Sequence, residues 1–115
     1  MRGAAMVSVV GLLAFVQPAI ADAWRSLSGS AITDAVAARV LAFADGRTLD
    51  IKQDGRVLSG HDWGLWRVQG GLFCLNWPPA PEWTCGPVMA HARGLDLRMP
   101  GPDGRIATGR FIDLG

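Results

Sequence analysis

The side chains best equipped for chemistry crowd into residues 61 to 85, which read HDWGLWRVQGGLFCLNWPPAPEWTC. That stretch holds four of the five tryptophans, both cysteines, the single glutamate and one of the two histidines. Nucleophilic catalysis needs a nucleophile, a base and a group that orients the base. His61 and His91 are the only histidines, and neither stands in a motif with a serine or a free cysteine. His61 and Asp62 are neighbours, but neighbouring side chains on a strand point to opposite faces. Glu82, beside Trp83, has the chemistry of a general acid, and the second carboxylate of a glycosidase pair can come from a distant position. A glutamate after Pro-Ala-Pro is more ordinarily solvated. The bland account, two surface histidines and a solvated Glu82, is preferred to a small envelope hydrolase.

Metal chemistry has less to stand on. There is no His-x-His, no helical histidine pair and no Cys-x-x-Cys. Asp45, Asp54 and Asp103 each precede a glycine, so turn formation accounts for them without calcium. No metal and no cofactor is expected. What stands above background is the aromatic set. Tryptophan offers a large rigid face and one N–H donor, suited to sugars, heterocycles and protein partners. Strand alternation places Trp66 and Phe73 among aliphatic neighbours, hence in the core. Trp63, Trp77 and Trp83 sit at strand ends or beside the proline-rich loop, and with His61 and Glu82 they form the candidate binding surface. The plainer alternative is that every ring packs the core and braces a disulfide.

The elements that would hold these residues are short strands. Trp66 and Val68 alternate with Leu65, Arg67 and Gln69, the period-2 signature of a strand with one buried face. Gly70-Gly71 suits a tight hairpin, after which Phe73, Leu75 and Trp77 line one face and Leu72, Cys74 and Asn76 the other. Pro78-Pro79-Ala80-Pro81 stops that strand, and Trp83-Thr84-Cys85 resumes it. Cys74 and Cys85 then oppose each other, and a disulfide closing so short a loop is worth roughly 3 kcal/mol. Two cysteines fit an oxidising compartment; the competing account is two reduced, buried thiols.

Asp45-Gly46 and Asp54-Gly55 mark hairpins between runs at Val40–Phe43, Thr48–Lys52 and Val57–Leu58. Val88–His91, the alternating Leu95, Leu97 and Met99, and Ile106–Ile112 follow, with a strong turn at Pro100–Gly104 and a bulge or bend at Gly109. One short helix precedes them, from about Ala31 to Ala38, with Ser30 as N-cap, Asp34 in the first turn and Ile32 and Val36 facing inward. The expected fold is mainly β: an antiparallel meander of 7–8 strands forming a small barrel or strongly curled sheet, with one short N-terminal helix.

Arg2, the apolar run Ala4–Val16 and Ala19-Ile20-Ala21 after Pro18 have the n-, h- and c-regions of a secretory signal peptide spanning 1–21. The run is too short to cross a bilayer comfortably. Residues 22–115 then form a single disulfide-stapled β domain, periplasmic or secreted and not membrane-spanning after cleavage. Arg2 is the only charged residue before Asp22, so ten basic and ten acidic side chains remain and cancel. Nucleic-acid binding needs clustered positive charge, and none is present.

The hairpins DGRTL and DGRVL, followed by GLWRVQGGLFCLNWPP and WTC, resemble a family of small exported proteobacterial proteins with a G-x-W-x-V-x-G-x-x-x-C-x-x-W-P-P…W-x-C core. The likeness runs from about Leu27 to Phe111, with departures at Leu75 and Asn76. It implies the fold and export and carries no established activity. The functional expectation is therefore a non-enzymatic binding domain of the cell envelope, using its aromatic-rich surface on an envelope protein or a glycan. A lipocalin-like carrier of a small apolar ligand is the alternative; it needs a cavity of several hundred Å³ inside the barrel.

Overall fold

The computed structural model describes residues 23–113; the expected signal peptide, 1–21, lies outside them. Among the described residues, ten strands and one helix follow in the order β1 (Trp24–Leu27), α1 (Ser30–Val36), β2 (Arg39–Phe43), β3 (Thr48–Ile51), β4 (Arg56–Ser59), β5 (Asp62–Gln69), β6 (Leu72–Asn76), β7 (Thr84–Gly86), β8 (Val88–His91), β9 (Asp96–Pro100) and β10 (Ile106–Phe111). They form one antiparallel sheet in the order β1-β8-β9-β10-β2-β3-β4-β5-β6-β7. The mainly β, antiparallel expectation holds, with two corrections. There are ten strands rather than seven or eight, and β1 has no counterpart among the expected elements. The sheet is also not closed into a barrel: β1 pairs only with β8, and β7 only with β6. Prolines at 81 and 87 bracket β7 and limit it to three residues, too short a ladder to recruit β1. Even so, β6 and β7 pack against β9, so the sheet bends back over its own interior.

Turn chemistry sets this meander. Asp-Gly-Arg occurs three times, joining β2 to β3, β3 to β4 and β9 to β10. Each glycine has positive φ, at 89°, 97° and 86° for Gly46, Gly55 and Gly104. In each turn the arginine N–H donates to the aspartate Oδ1, at 2.9, 3.1 and 2.9 Å. The Nε of Arg47 and of Arg56 also reaches the other oxygen of Asp45 and Asp54, at 2.8 and 2.9 Å. The tripeptide thus carries its own Asx turn, a left-handed residue and a clamp. At Gly70-Gly71 both φ values are positive, 60° and 83°, as a two-residue type I′ hairpin between β5 and β6 requires.

Thirteen apolar side chains form the core cluster, including Leu41, Leu49, Ile51, Val57, Phe73, Val88 and Met99 with no exposed surface. Helix α1 contributes Ile32 and Val36, as their spacing predicts. Its start differs from expectation: Gly29, at φ 52°, is the N-cap, no side chain caps the helix, and no acidic residue lies in the first turn. Seven residues are too few for independent stability, so docking of Ile32 and Val36 holds the helix. Trp66 and Phe73 are buried as expected, stacked with centroids 6.0 Å apart. The Trp66 Nε1–H donates to the Lys52 carbonyl at 2.7 Å, tying the β3–β4 turn to the core. Gly109 makes no bulge; it pairs in register with Phe43 and Leu97. It is glycine because a Cβ there would lie 2.9 Å from the Phe43 ring.

Cys74 and Cys85 are directly opposed on β6 and β7 and joined by a disulfide. Ion pairs decorate the outside. Arg110 holds Asp96 at 2.8 Å, and Arg39 holds Asp113 at 2.9 Å. The hydrogen bond from Arg110 sets the Asp96 carboxyl below its ordinary value, and that from Arg39 does the same for Asp113. Asp45 and Asp54 are lowered first by the backbone N–H groups of Arg47 and Arg56. A depressed carboxyl stabilises the fold above its unfolded value, about 3.9, and that contribution is lost as pH falls through the folded value. Thermal unfolding of Asp96→Asn should therefore show a lower Tm than wild type at pH 5, with the gap closing towards pH 2.

Candidate functional site

One end of the curled sheet is built from turns. The β2–β3 turn brings Gly46, Arg47 and Thr48; the β4–β5 connection brings Ser59, Gly60, His61, Asp62 and Trp63; Trp77 and Pro78 arrive from the end of β6 and Pro102 from the β9–β10 turn. Together they line an open cleft of about 690 Å³. Of the five expected site residues, His61, Trp63 and Trp77 share this cleft, while Glu82 and Trp83 do not line it.

The two indoles are fixed in different ways. Trp63 is the second residue of β5, where alternation turns it to the outer face, and it is 48% exposed. The Arg56 guanidinium sits 4.8 Å from its ring centroid, a cation–π contact, and is itself held by Asp54 at 2.9 Å. Trp77 follows the last residue of β6 and packs part-buried against the core. Its ring lies on Gly64, where a Cβ would approach Cε3 to 2.6 Å and the Asn76 carbonyl to 2.7 Å. Gly64 is therefore a site residue in effect: its missing side chain is the seat of the Trp77 ring.

The polar lining is unevenly charged. Arg47 is shared between Asp45 at 2.8 Å and Asp103 at 3.4 Å. The Asp45 bond raises the guanidinium pKa, keeping it cationic throughout the accessible pH range. Asp62 makes no ion pair among the described residues. Hydroxyls of Ser59 and Thr48 and the exposed His61 complete the rim.

Trp83 does not line the cleft. Arg67 lies opposite Cys74, which lies opposite Cys85, and the Arg67 guanidinium covers the Trp83 ring at 4.0 Å. The proline-rich loop before it is pinned from beneath by Asn76, whose Nδ2 donates to the carbonyls of Ala80 and Glu82, each at 2.8 Å. Asn76 is thus buried by the loop rather than by the core. Truncating it in Asn76→Ala should cost about 1–3 kcal/mol in chemical denaturation, because two carbonyls lose their donor. Amide exchange at residues 80–84 should accelerate in the same variant.

His91 also lies away from the cleft, edge-on to Trp24 with centroids 4.9 Å apart. Its Nδ1 accepts the Arg93 N–H at 3.1 Å, and Arg98 covers the Trp24 ring at 4.1 Å. Arg47, Asp62, Ser59 and Pro102 were invisible as site residues in the local pattern; the recurrence of Asp-Gly-Arg marks the turns of Arg47 and Pro102 but not the β4–β5 connection that carries Ser59 and Asp62. Among the described residues no group of three or more His, Cys, Asp or Glu is arranged to hold a metal ion. Comparison of the chain with family models, with curated proteins and with solved structures found no match.

Proposed function

We propose that this chain is an exported, non-enzymatic binding domain of the cell envelope, periplasmic or secreted, acting through the cleft between Trp63 and Trp77. The observation that carries the proposal is the backing of both indoles: Arg56 stacks on Trp63, and Gly64 seats Trp77. Rigid aromatic faces lose little entropy on binding and supply large contact areas. The cleft volume of about 690 Å³ is within the range of small-ligand sites. Export is supported by the N-terminal sequence pattern, by the likeness to small exported proteobacterial proteins, and by the Cys74–Cys85 disulfide.

The alternatives draw less support. An apolar carrier needs interior space, whereas Leu41, Leu49, Ile51, Val57 and Phe73 project inward and are fully buried. A hydrolase needs converging groups, and Glu82 does not join His61 in the cleft. Partners are expected to be an envelope protein or a glycan.

The test uses the disulfide-bonded domain immobilised and exposed separately to envelope protein and envelope glycan fractions. Retention that falls at least about tenfold in Trp63→Ala is expected, since exposed aromatic anchors dominate such contacts. Retention identical in wild type and variant would sink the assignment of the site.

A further inference from the structure

The walls of the cleft also discriminate between ligand classes, and we infer that its ligand is a short oligosaccharide of neutral or amino-bearing hexopyranoses, with acidic sugars excluded. This inference rests on the binding role proposed above and adds the chemistry of what is bound. A pyranose has a C–H face that seats on an indole and a rim of hydroxyls that both donate and accept hydrogen bonds. The cleft offers both features. Trp63 and Trp77 supply two faces, and Ser59, Thr48, His61 and Asp62 supply a mixed donor and acceptor rim. Two platforms match a chain of sugars better than a single one.

Peptide ligands are less well matched. A peptide that binds by strand addition gains its affinity at a free strand edge. The cleft is lined by turns and strand ends, while the free edges of the sheet belong to β1 and β7. No ladder is available there.

Charge decides between sugars. The guanidinium of Arg47 is shared by two carboxylates, Asp45 and Asp103, which together more than offset its charge. Arg56 is balanced by a single carboxylate, Asp54. Asp62, in contrast, is without a cationic partner among the described residues and lines the cleft. Acidic side chains therefore outweigh basic ones around the site. A uronic acid would be repelled, a neutral sugar tolerated, and an amino sugar attracted.

Titration of the full disulfide-bonded domain with three probes, a glucosamine trimer, cellotriose and a galacturonic acid trimer, tests this by NMR of the five indole N–H resonances. Saturable shifts at Trp63 and Trp77 are expected with the first two probes. Trp66, bonded to the Lys52 carbonyl, and Trp24 and Trp83, which do not line the cleft, should stay in place. At low salt the glucosamine trimer should bind about fivefold or more tighter than the galacturonate trimer, and Asp62→Asn should bring that ratio close to one. Trp77 supports the core, so Trp63→Ala, on an exposed residue, is the variant that must abolish the shifts. Equal binding of the acidic trimer overturns the charge selection. No shift with any trimer, while envelope retention still depends on Trp63, overturns the glycan class and leaves the binding role standing. Shifts produced only by a basic proline-rich peptide do the same. Loss of both retention and shifts removes both.

Discussion

Gly64→Ala should destabilise the domain by about 2–3 kcal/mol and dismantle the cleft, the largest effect expected from adding one methyl group anywhere near the site. The new Cβ would stand 2.6 Å from Trp77 Cε3 and 2.7 Å from the Asn76 carbonyl oxygen. A ring at the end of a side chain can swing away, but the second neighbour is backbone. Asn76 pairs with Leu65 across β5 and β6 and clamps the proline-rich loop through its own side chain. Yielding at Asn76 therefore strains the ladder and the loop together. The Trp77 ring, once lifted, no longer covers the core edge and no longer lines the cleft in its present position. Tryptophan fluorescence should report a more solvated indole, and the denaturation midpoint should fall at unchanged m-value. Gly94→Ala, at a turn glycine with open space around its Cβ position but φ of 80°, tests whether backbone freedom alone gives as much; about 1 kcal/mol is expected there. An equal loss at both positions would mean that the Trp77 seat has no special role.

Gly64 also shows why the site was only partly legible. Its position between Trp63 and Leu65 reads as one more strand residue, because the ring that needs its emptiness is thirteen positions away. Local rules carried far elsewhere. Positive φ at Gly70 and Gly71 and the three Asp-Gly-Arg turns follow from two- and three-residue chemistry, and with them the meander. Alternation placed Trp66, Phe73, Leu75, Leu97 and Met99 on one face of their strands, and they are buried, whereas Leu95, read as part of the same run as Leu97, precedes β9 and is exposed. Long-range facts were not accessible in this way. Closure depends on whether two remote edges meet, and although Pro81 and Pro87 shorten β7, they do not say which strand would lie across from it. Trp83 stays out of the cleft under the Arg67 guanidinium, a contact between β5 and the loop before β7 that lies sixteen positions along the chain. Helix capping failed for a local reason: Gly29 can take φ 52° and Ser30 cannot do so cheaply, so the boundary moves one residue.

Removing the disulfide, as Cys74→Ala with Cys85→Ala, should lower stability by about 3 kcal/mol, since it frees a loop of about a dozen residues in the unfolded chain. For a domain of this size that corresponds to a fall in Tm of roughly 12–24 °C. The loss should be local in its structural consequences. Strand β7 pairs with the sheet through β6 alone, over three residues, and the loop before it is held by the Asn76 amide and by Arg67 on Trp83. Hydrogen exchange should therefore rise at residues 80–86 far more than in β2, β3 and β10. The cleft sits on the other attachment: Trp77 is fixed by Gly64 and by the core, and Trp63 by Arg56, none of which needs the sulfur bridge. Binding at Trp63 and Trp77 should survive at temperatures where the variant is folded. If binding and stability vanish together well below the new Tm, the proline-rich loop itself is part of the recognition surface, and Trp83 and Glu82 return as candidates. If Tm hardly moves, the Asn76 clamp and the Arg67–Trp83 stack already order the loop, and the bridge adds little to folding.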